Sequence, residues 1–182
     1  MKIQLFYYYP ITVLKLWLHG VNFHYKVLGK SFYIQNKGEI ILGRSVSLNS
    51  FPNGSSFRTA LNTYLPEARI EIGIHCKLNG TVIHSNELVK IGDHCLFGPG
   101  TILCDNDSHK VSKDPAIRRT KPVSCPILIE ENVWVGMNCI IMKGVTIGRN
   151  SIIAAGSVVV KNVTENTLVG GNPAKFIKEI LD

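Results

Sequence analysis

The sequence lacks an apolar run long enough to span a bilayer. Its most apolar stretch, residues 3–18, is interrupted by Pro10 and Lys15, and no small-residue cleavage site accompanies it. We therefore expect this stretch to cover the open end of a larger fold. Weak attachment to a membrane surface, through Trp17 and the tyrosines at 7–9, stays open as the alternative.

Paired metal-binding cysteines are absent as well. None of the five cysteines stands in a C-x-x-C pair, and their odd number fits a reduced compartment. The formal net charge is +7, but no arginine-rich segment with interleaved aromatics accompanies it, so we expect no nucleic-acid partner. Phosphate-bearing cofactors or sugar nucleotides fit the charge better. We expect a cytoplasmic protein, peripheral to the inner membrane face if the N-terminal stretch attaches there.

What the sequence contains is a six-residue repeat. Between residues 129 and 159 an aliphatic side chain returns at every sixth position. These anchors are Ile129, Val135, Ile141, Ile147, Ile153 and Val159. Glycine often follows the anchor, as at Gly136, and Cys76, Cys95 and Cys139 share the small-residue position four places after it. A period of six is typical of a parallel β-helix, whose stacked coils bury a shared core. We therefore predict an all-β fold of this kind, with the three cysteines in its core.

The repeat is interrupted and flanked by other segments. The period slips by one residue within residues 84–90, and residues 105–126 keep no period and contain three prolines. We predict that this second segment is a loop extruded from the coil. The chain then divides into an N-terminal capping segment (1–39), the β-helix (40–173) and a C-terminal segment (174–182) whose apolar spacing predicts a short amphipathic helix.

Four short motifs within and after the repeat allow a comparison with known protein families. They are Trp134-Val135-Gly136, Gly144-Val145-Thr146-Ile147-Gly148, Ala155-Gly156-Ser157-Val158-Val159 and Gly171-Asn172-Pro173-Ala174. Together with the repeat they resemble the hexapeptide-repeat acyltransferases, most closely the sugar O-acetyltransferases that act on galactosides, maltose and polysaccharides. The resemblance covers residues 40–178. It implies a left-handed β-helix, a homotrimer with active sites between subunits, and acetyl-CoA as donor, with no metal.

The implied reaction is transfer of an acetyl group to a hydroxyl of a saccharide or polysaccharide precursor, and it needs a base. A neutral imidazole suits that role near pH 7. His109 ends the segment where the coil breaks into the long loop, and similar enzymes carry their catalytic histidine there. We therefore expect His109 to act as general base in a direct ternary-complex reaction. Asp107, or equally Asp105, is the candidate to orient the imidazole, while capping or solvation of the loop stays open for both.

For the donor, the resemblance implies an extended pantetheine arm in the groove between subunits. Backbone groups at Gly136, Met137 and Ala155 are implied to contact it, and N–H groups near Gly136 and Met137 are expected to stabilise the oxyanion. The C-terminal residues implied at the same cofactor site are Lys161, Pro173, Lys175 and Lys178. The lysines there would pair with phosphate charge.

Four residues are candidates for contact with the acceptor. Asn79 matches an acceptor-contacting position in sugar acetyltransferases, Asn86 lies one coil segment further on, and amides both donate to and accept from sugar hydroxyls. Trp134 is predicted to face outward, and in similar enzymes it lies beside the active-site histidine and the acceptor; it is also a predicted cofactor contact. Packing against a neighbouring coil or subunit is its other interpretation. Arg118, in the extruded loop, is predicted either to meet an anionic acceptor or to keep the loop solvated.

Other functions remain to be distinguished. The nearest is N-acetylation of an amino sugar nucleotide or an antibiotic by the same kind of enzyme. A zinc carbonic anhydrase built on the same coil would need three converging histidines, and His109 has no histidine partner downstream. A catalytically silent trimeric scaffold is the last alternative.

Overall fold

Short parallel strands wind around a common axis and stack into a prism with three flat faces. The computed structural model describes residues 2–50 and 57–181, and it describes side chains for residues 9–29, 31–50 and 57–181. A helix, α1 (Lys2–Leu18), precedes the first strand.

Six coils follow one another in the described part of the chain. The first three contain β1 (Asn22–Phe23), β2 (Leu28–Lys30), β3 (Tyr33–Asn36), β4 (Glu39–Leu42), β5 (Ser47–Asn49), β6 (Ala60–Thr63), β7 (Arg69–Ile72), β8 (Lys77–Asn79) and β9 (Val82–Ser85). The next three contain β10 (Leu88–Ile91), β11 (Leu96–Phe97), β12 (Ile102–Cys104), β13 (Ile127–Ile129), β14 (Trp134–Val135), β15 (Ile140–Met142), β16 (Thr146–Ile147), β17 (Ile152–Ile153) and β18 (Val158–Val159). A short helix, α2 (Pro115–Arg118), lies between β12 and β13. The last two strands are β19 (Thr167–Gly170) and β20 (Lys175–Glu179).

Each coil contributes one strand to each of three sheets. Sheet A has the order β1-β4-β7-β10-β13-β16, sheet B the order β2-β5-β8-β11-β14-β17-β19-β20, and sheet C the order β18-β15-β12-β9-β6-β3. We name the edges of the prism the A–B, B–C and C–A corners, in the order in which the chain turns them. The repeat anchors stack in the core as the period predicts; in sheet B, for example, Leu78, Phe97, Val135 and Ile153 are in register and buried. The fold is therefore a parallel β-helix.

The buried cysteines and the extruded loop agree with the prediction, whereas the slip within residues 84–90 does not interrupt the coil. Cys76, Cys95 and Cys139 are fully buried free thiols in the core. Residues 105–126 leave the coil between β12 and β13, as expected. The slip within residues 84–90 is no break in the coil, because it is absorbed in the turn between β9 and β10 while both strands keep their register.

Glycine stands at the corners where coils approach each other most closely. A Cβ on Gly98 would lie 2.6 Å from the Met137 nitrogen, and one on Gly136 would lie 2.7 Å from the Ala155 nitrogen. Such contacts do not occur between real side chains and backbone. Glycine after the anchor is therefore a requirement of coil spacing.

The A–B corner carries a column of left-handed residues. His75, His94, Asn132, Asn150 and Asn166 have φ between 56° and 60°. Asparagine adopts this conformation more readily than most residues. The two imidazole rings stack with centroids 5.1 Å apart. The amides form a ladder, with Asn132 Nδ2 donating to Asn150 Oδ1 at 3.0 Å and Asn150 Nδ2 to Asn166 Oδ1 at 2.8 Å.

The C-terminal segment is a strand, so the predicted short helix over residues 174–182 is wrong. β20 pairs antiparallel with β19, and all five of its residues are exposed. The physical reason is the edge of sheet B, because β19 would otherwise leave its outer N–H and C=O groups without strand partners. The apolar spacing that suggested a helix is compatible with a strand of this length.

The N-terminal segment closes the prism, but the coil begins earlier than predicted. Leu16 is fully buried in the core, and Thr12 Oγ1 donates to the Gly29 carbonyl at 3.0 Å, so α1 covers the first coil. Strands β1 to β3 lie within residues 1–39, which the prediction assigned wholly to the cap. The outer side of α1 exposes Trp17, whereas the Tyr7 and Tyr8 side chains lie outside the described residues. Neither helix in the described ranges has the length and apolar character to cross a membrane.

Two neighbouring residues of β10 provide a test of which face is core. Ile91 is 2% exposed, whereas Lys90 points outward to an ion pair with Glu71. Replacing Ile91 by Ala should lower the free energy of unfolding by about 2–5 kcal/mol, because it leaves a cavity. Lys90→Ala should cost less than about 1 kcal/mol, because exposed ion pairs contribute little. Urea denaturation with an unchanged m-value measures both, and equal losses would contradict the assigned register.

Candidate active site

The three faces of the prism differ in chemistry. Sheet A carries ion pairs, among them Arg69 with Glu39 at 2.9 Å and with Glu71 at 3.0 Å. The outer surface of sheet C instead carries an apolar column, which consists of Tyr33, Ala60, Val82, Ile102, Ile140 and Val158 in register. The predicted site residues lie mainly along the two edges of sheet C.

His109 lies at the C–A corner, at the root of the extruded loop. Its backbone N–H donates to the Asp107 carbonyl at 2.6 Å, around Ser108 with φ of 60°. Asn106 Oδ1 accepts from the Ser108 N–H at 2.9 Å, which fixes the same turn. The imidazole is exposed, and no described residue bonds to it. The backbone is thus held while the ring stays accessible to a ligand.

Asp105 anchors this loop root to the coil. Its carboxylate is fully buried and accepts hydrogen bonds from Ser85 Oγ at 2.9 Å and from the N–H groups of Asn86 and Glu87, each at 2.8 Å. Asn106 Nδ2 adds a fourth bond at 3.1 Å. A buried carboxylate needs this number of donors to offset its desolvation. Asp105 therefore belongs to the turn that holds Asn86, and Asn86 lies near His109 at the C–A corner.

Asp107 contacts a lysine and not the imidazole. Its carboxylate pairs with Lys143 Nζ at 2.9 Å, and this hydrogen bond raises the pKa of Lys143 above its ordinary value. The pair ties the loop to the next coil. Neither Asp105 nor Asp107 touches the ring of His109, so the structure does not bring the predicted orienting carboxylate to the base. Sequence analysis missed Lys143, because only the register of β12 with β15 brings it near Asp107.

Two further histidines are engaged elsewhere. Tyr64 Oη lies 2.7 Å from His84 Nδ1, and the two rings stack. Burial lowers the pKa of His84, and the nearby Asp105 partly opposes that shift. The ring of His19 bonds to the Lys15 carbonyl at 2.8 Å.

The B–C corner presents unused backbone donors. The N–H groups of Met137 and Ala155 have no backbone partner among the described residues. The Gly136 N–H, in contrast, donates to the Ile153 carbonyl at 2.8 Å, so the geometry leaves Met137 and Ala155, and not Gly136, as donors for a ligand. A Cβ on Gly156, whose φ is 74°, would have no atom within 4 Å, so the backbone there is open to approach.

Trp134 and Asn79 belong to sheet B, beside this corner. Trp134 is 53% exposed and faces outward as predicted, between Leu96 and Ile152 on the neighbouring strands. Asn79 ends β8, and its Nδ2 donates to the Phe97 carbonyl at 3.4 Å. Asn79 and Asn86 therefore lie at opposite edges of sheet C, and a single chain does not bring them together.

The predicted cofactor residues near the C-terminus gather at the last coils. Lys161 lines a cavity of about 190 Å³ together with Phe176. Lys175 and Lys178 lie exposed on β20, and none of the three lysines forms an ion pair within the described ranges. Pro173 lies in the turn before β20, which is docked where the Ala174 N–H donates to the Val158 carbonyl at 2.8 Å.

Arg118 is engaged within its own loop. Its guanidinium donates to the carbonyls of Ser112 at 3.2 Å and Lys113 at 3.5 Å. These bonds shape the loop around α2. Within the residues that the structure describes, no group of three or more His, Cys, Asp or Glu side chains could hold a metal ion.

His109, the predicted base, and the backbone donors lie at opposite edges of sheet C. Strand β12 runs from the B–C corner at Gly100 to the C–A corner at Asp105, and His109 follows the latter. Met137 lies at the B–C corner one coil further on. A single chain thus does not bring the predicted base and the predicted donor contacts together.

Comparison with known proteins places this architecture in a family. The bacterial transferase hexapeptide family (six repeats) matches residues 126–161. The hexapeptide-repeat-containing acetyltransferase of Vibrio cholerae O1 biovar eltor, solved in complex with acetyl coenzyme A, is 31% identical with a TM-score of 0.64. That match covers 95% of this chain and 78% of the other. The fold is accordingly the left-handed β-helix of these neighbours.

Curated relatives carry two kinds of acetyl transfer in their names. A galactoside O-acetyltransferase of Lactococcus lactis subsp. lactis is 36% identical over 60% of this chain and 52% of its own length. A 2,3,4,5-tetrahydropyridine-2,6-dicarboxylate N-acetyltransferase of Halalkalibacterium halodurans is 41% identical over 50% of this chain and 32% of its own length. The matched segment thus spans about half or less of these relatives.

The environment of His84 makes stability depend on pH. Because burial lowers the pKa of folded His84 below its ordinary value of 6.5, the unfolded chain binds the proton more readily. The free energy of unfolding that depends on neutral, buried His84 is fully present above about pH 7, and it is lost as the pH falls below about 6.5. His84→Gln should therefore reduce the loss of unfolding free energy between about pH 7 and pH 5, measured by urea denaturation. His24→Gln, at an exposed histidine of the first coil, should keep the wild-type slope, and an unchanged slope in His84→Gln would contradict the assignment.

Proposed function

This chain belongs to the hexapeptide-repeat acetyltransferases, and from that premise we propose that it transfers an acetyl group from acetyl-CoA to a hydroxyl of a saccharide or polysaccharide precursor. His109 acts as general base. The reaction takes place in the cytoplasm, where the five free thiols of the chain stay reduced.

The observation that carries the proposal is the setting of His109. Its backbone is held by the turn through Asp107 and Ser108, while its ring is exposed and unbonded among the described residues. A neutral imidazole in that state can accept a proton from an acceptor hydroxyl near pH 7. The Lys143 pair keeps the loop root in place.

The residues at the B–C corner fit acetyl-CoA. The unpaired N–H groups of Met137 and Ala155 can bond the pantetheine amides and stabilise the negative charge that develops on the carbonyl oxygen. Open space at Gly156 admits a chain along the backbone. The unpaired lysines of the last coils supply charge for the phosphates. When bound, acetyl-CoA supplies the activated thioester, and the acceptor attacks it directly without a covalent enzyme intermediate.

The two half-sites support a homotrimer. His109 lies at the C–A corner and Met137 at the B–C corner, so a neighbouring chain completes each site. The end of the apolar column of sheet C at Ile140 and Val158 offers the surface for that contact, because an exposed apolar strip on an otherwise polar protein marks an interface. Ile140, on this column, is 36% exposed.

N-acetylation of an amino sugar nucleotide or an antibiotic is the second candidate. It is supported by the N-acetyltransferase among the relatives. Parallel assays of CoA release with matched hydroxyl and amine acceptors distinguish O-acetylation from N-acetylation. The reaction is O-acetylation if the hydroxyl acceptor gives the faster release and N-acetylation if the amine acceptor does.

Removal of the base tests the mechanism. His109→Ala should lower the rate of acetyl transfer by about 10²- to 10⁴-fold, because general-base catalysis contributes that much. CoA release measures the rate, and circular dichroism with an unchanged melting temperature shows that the fold is intact. His24→Ala is the matched control, since that histidine is exposed in the first coil, and turnover at the wild-type rate in His109→Ala would remove His109 from the mechanism.

The assembly has its own test. Light scattering should give three times the chain mass of 20.2 kDa. Ile140→Asp should lower that mass, because a carboxylate in an apolar contact is costly to desolvate. Leu128→Asp, at a residue of similar exposure on sheet A, should leave the mass unchanged. A single-chain mass for the wild type, or equal effects of both variants, would contradict the assignment of sheet C.

A further inference from the structure

A second insertion falls in the chain between β5 and β6, at the B–C corner, and the described residues at its C-terminal end are hydrogen-bonded to the coil. Thr59 Oγ1 donates to the Asn49 carbonyl at 2.7 Å and accepts from the Gly80 N–H at 2.9 Å. Ser50 Oγ accepts from the Thr59 N–H at 3.0 Å. These bonds hold Phe57 and Arg58 against the coil.

Phe57 covers two glycines of the corner. A Cβ on Gly80 would lie 2.6 Å from Phe57 Cβ, and one on Gly100 would lie 2.8 Å from its Cε1. Both glycines have positive φ, and together with Phe57 they border a groove of about 350 Å³ over the part of the apolar column from Tyr33 to Ile102. The remaining lining residues are Tyr33, Arg58, Ala60, Val82 and Ile102. The volume is within the range of about 300–1,000 Å³ that is usual for small-ligand sites.

The groove adjoins the corner assigned to the donor. A Cβ on Gly100 would lie 2.2 Å from Asn138 Oδ1, so Gly100 and Asn138 are direct neighbours on successive coils. Since coils are about 4.8 Å apart, the groove begins within about one coil of the free Met137 N–H. An acceptor bound there would lie beside the corner proposed for acetyl-CoA.

The charge of the groove is one-sided. No carboxylate of the described residues lines it, and Arg58 forms no ion pair within the same ranges. Lys15 lies near enough to Arg58 for the two positive charges to repel, and its pKa is lowered, first by burial and second by Arg58. A guanidinium without an ion pair among the described residues is suited to bidentate recognition of phosphate or carboxylate.

We infer that this groove binds the charged part of the acceptor, a saccharide that carries a phosphate or a carboxylate group, with Arg58 paired to the anion and Phe57 and Tyr33 packed on the sugar ring. The inference rests on the proposed function, whose acceptor class it narrows. A second copy of the chain is a poorer occupant of the groove itself, because covering Arg58 would desolvate a charge that has no ion pair among the described residues. Ile140 and Val158, which are proposed for the contact between chains, lie outside the lining of the groove. Arg118, whose guanidinium is bound to its own loop, is not needed for this role.

Steady-state acetyl transfer to four probes tests the inference: glucose, glucose 1-phosphate, glucuronate and UDP-glucose. Arg58→Gln should raise KM for the charged probes by about ten- to a hundredfold, the usual loss for a charge-assisted hydrogen bond, with kcat and the KM for glucose little changed. Arg58→Lys should retain part of the affinity. Arg44→Gln, which removes the same charge at the far A–B corner, should behave as wild type. A comparison of glucose 1-phosphate with glucuronate shows whether the groove prefers a phosphate or a carboxylate group on the acceptor.

Calorimetric titration of the same probes without donor separates the two proposals. In one outcome the wild type binds a charged probe, Arg58→Gln does not bind it, and no acceptor causes CoA release. That result would contradict the proposed acetyl transfer and would support anion binding in the groove. Acetyl transfer with equal KM values for wild type and Arg58→Gln would contradict the inference that the groove binds the anionic acceptor. A wild-type protein that binds no charged probe would contradict it as well. A lowered oligomeric mass in Arg58→Gln, with all four probes equally affected, would assign the groove to a second copy of the chain.

Discussion

The distance between successive coils is the constraint on which this structure depends. Backbone hydrogen bonds hold the coils about 4.8 Å apart along all three sheets. At the corners this spacing excludes a side chain, since a Cβ on Gly98 would nearly touch the Met137 nitrogen. The corner turns also leave the sheet ladder, so the N–H groups of Met137 and Ala155 lack backbone partners in the described part of the chain. The packing that builds the prism therefore also produces the polar atoms of the proposed donor site.

Much of the fold could be predicted, because each strand of the repeat obeys a local rule. An inward aliphatic residue at every sixth position, followed by glycine at Gly136 and Gly148, determines the coil from Ile129 to Val159 without knowledge of distant contacts. The ends of the chain depend on more than local pattern. The spacing of Phe176 and Ile177 fits a helix and a strand equally, and the unpaired edge of β19 decides between them. In the first coil, inward residues such as Val21 and Val27 are too few for the period to be evident.

The candidate site was predictable only where a break in the repeat marks it. The loss of period after Cys104 points to the loop root and hence to His109. The contacts that hold the loop root could not be predicted in the same way, because Asp107 meets Lys143 only through the register between coils. The same holds for Phe57, which reaches Gly80 and Gly100 from an insertion with no periodic signal. Sequence thus singled out the histidine that we propose as the base, and three-dimensional register supplied its surroundings.

The two insertions fall in the chain at opposite edges of sheet C, and this arrangement has a genetic consequence. The segments that join β5 to β6 and β12 to β13 lie outside the paired strands, so either can change in length without disturbing the hydrogen-bonded ladder. In the proposed trimer, each reaction centre combines the long loop of one chain with the B–C corner of its neighbour. A chain that lacks the base and a chain with a damaged corner would then complement each other in a mixed trimer, which would contain one centre with both halves intact.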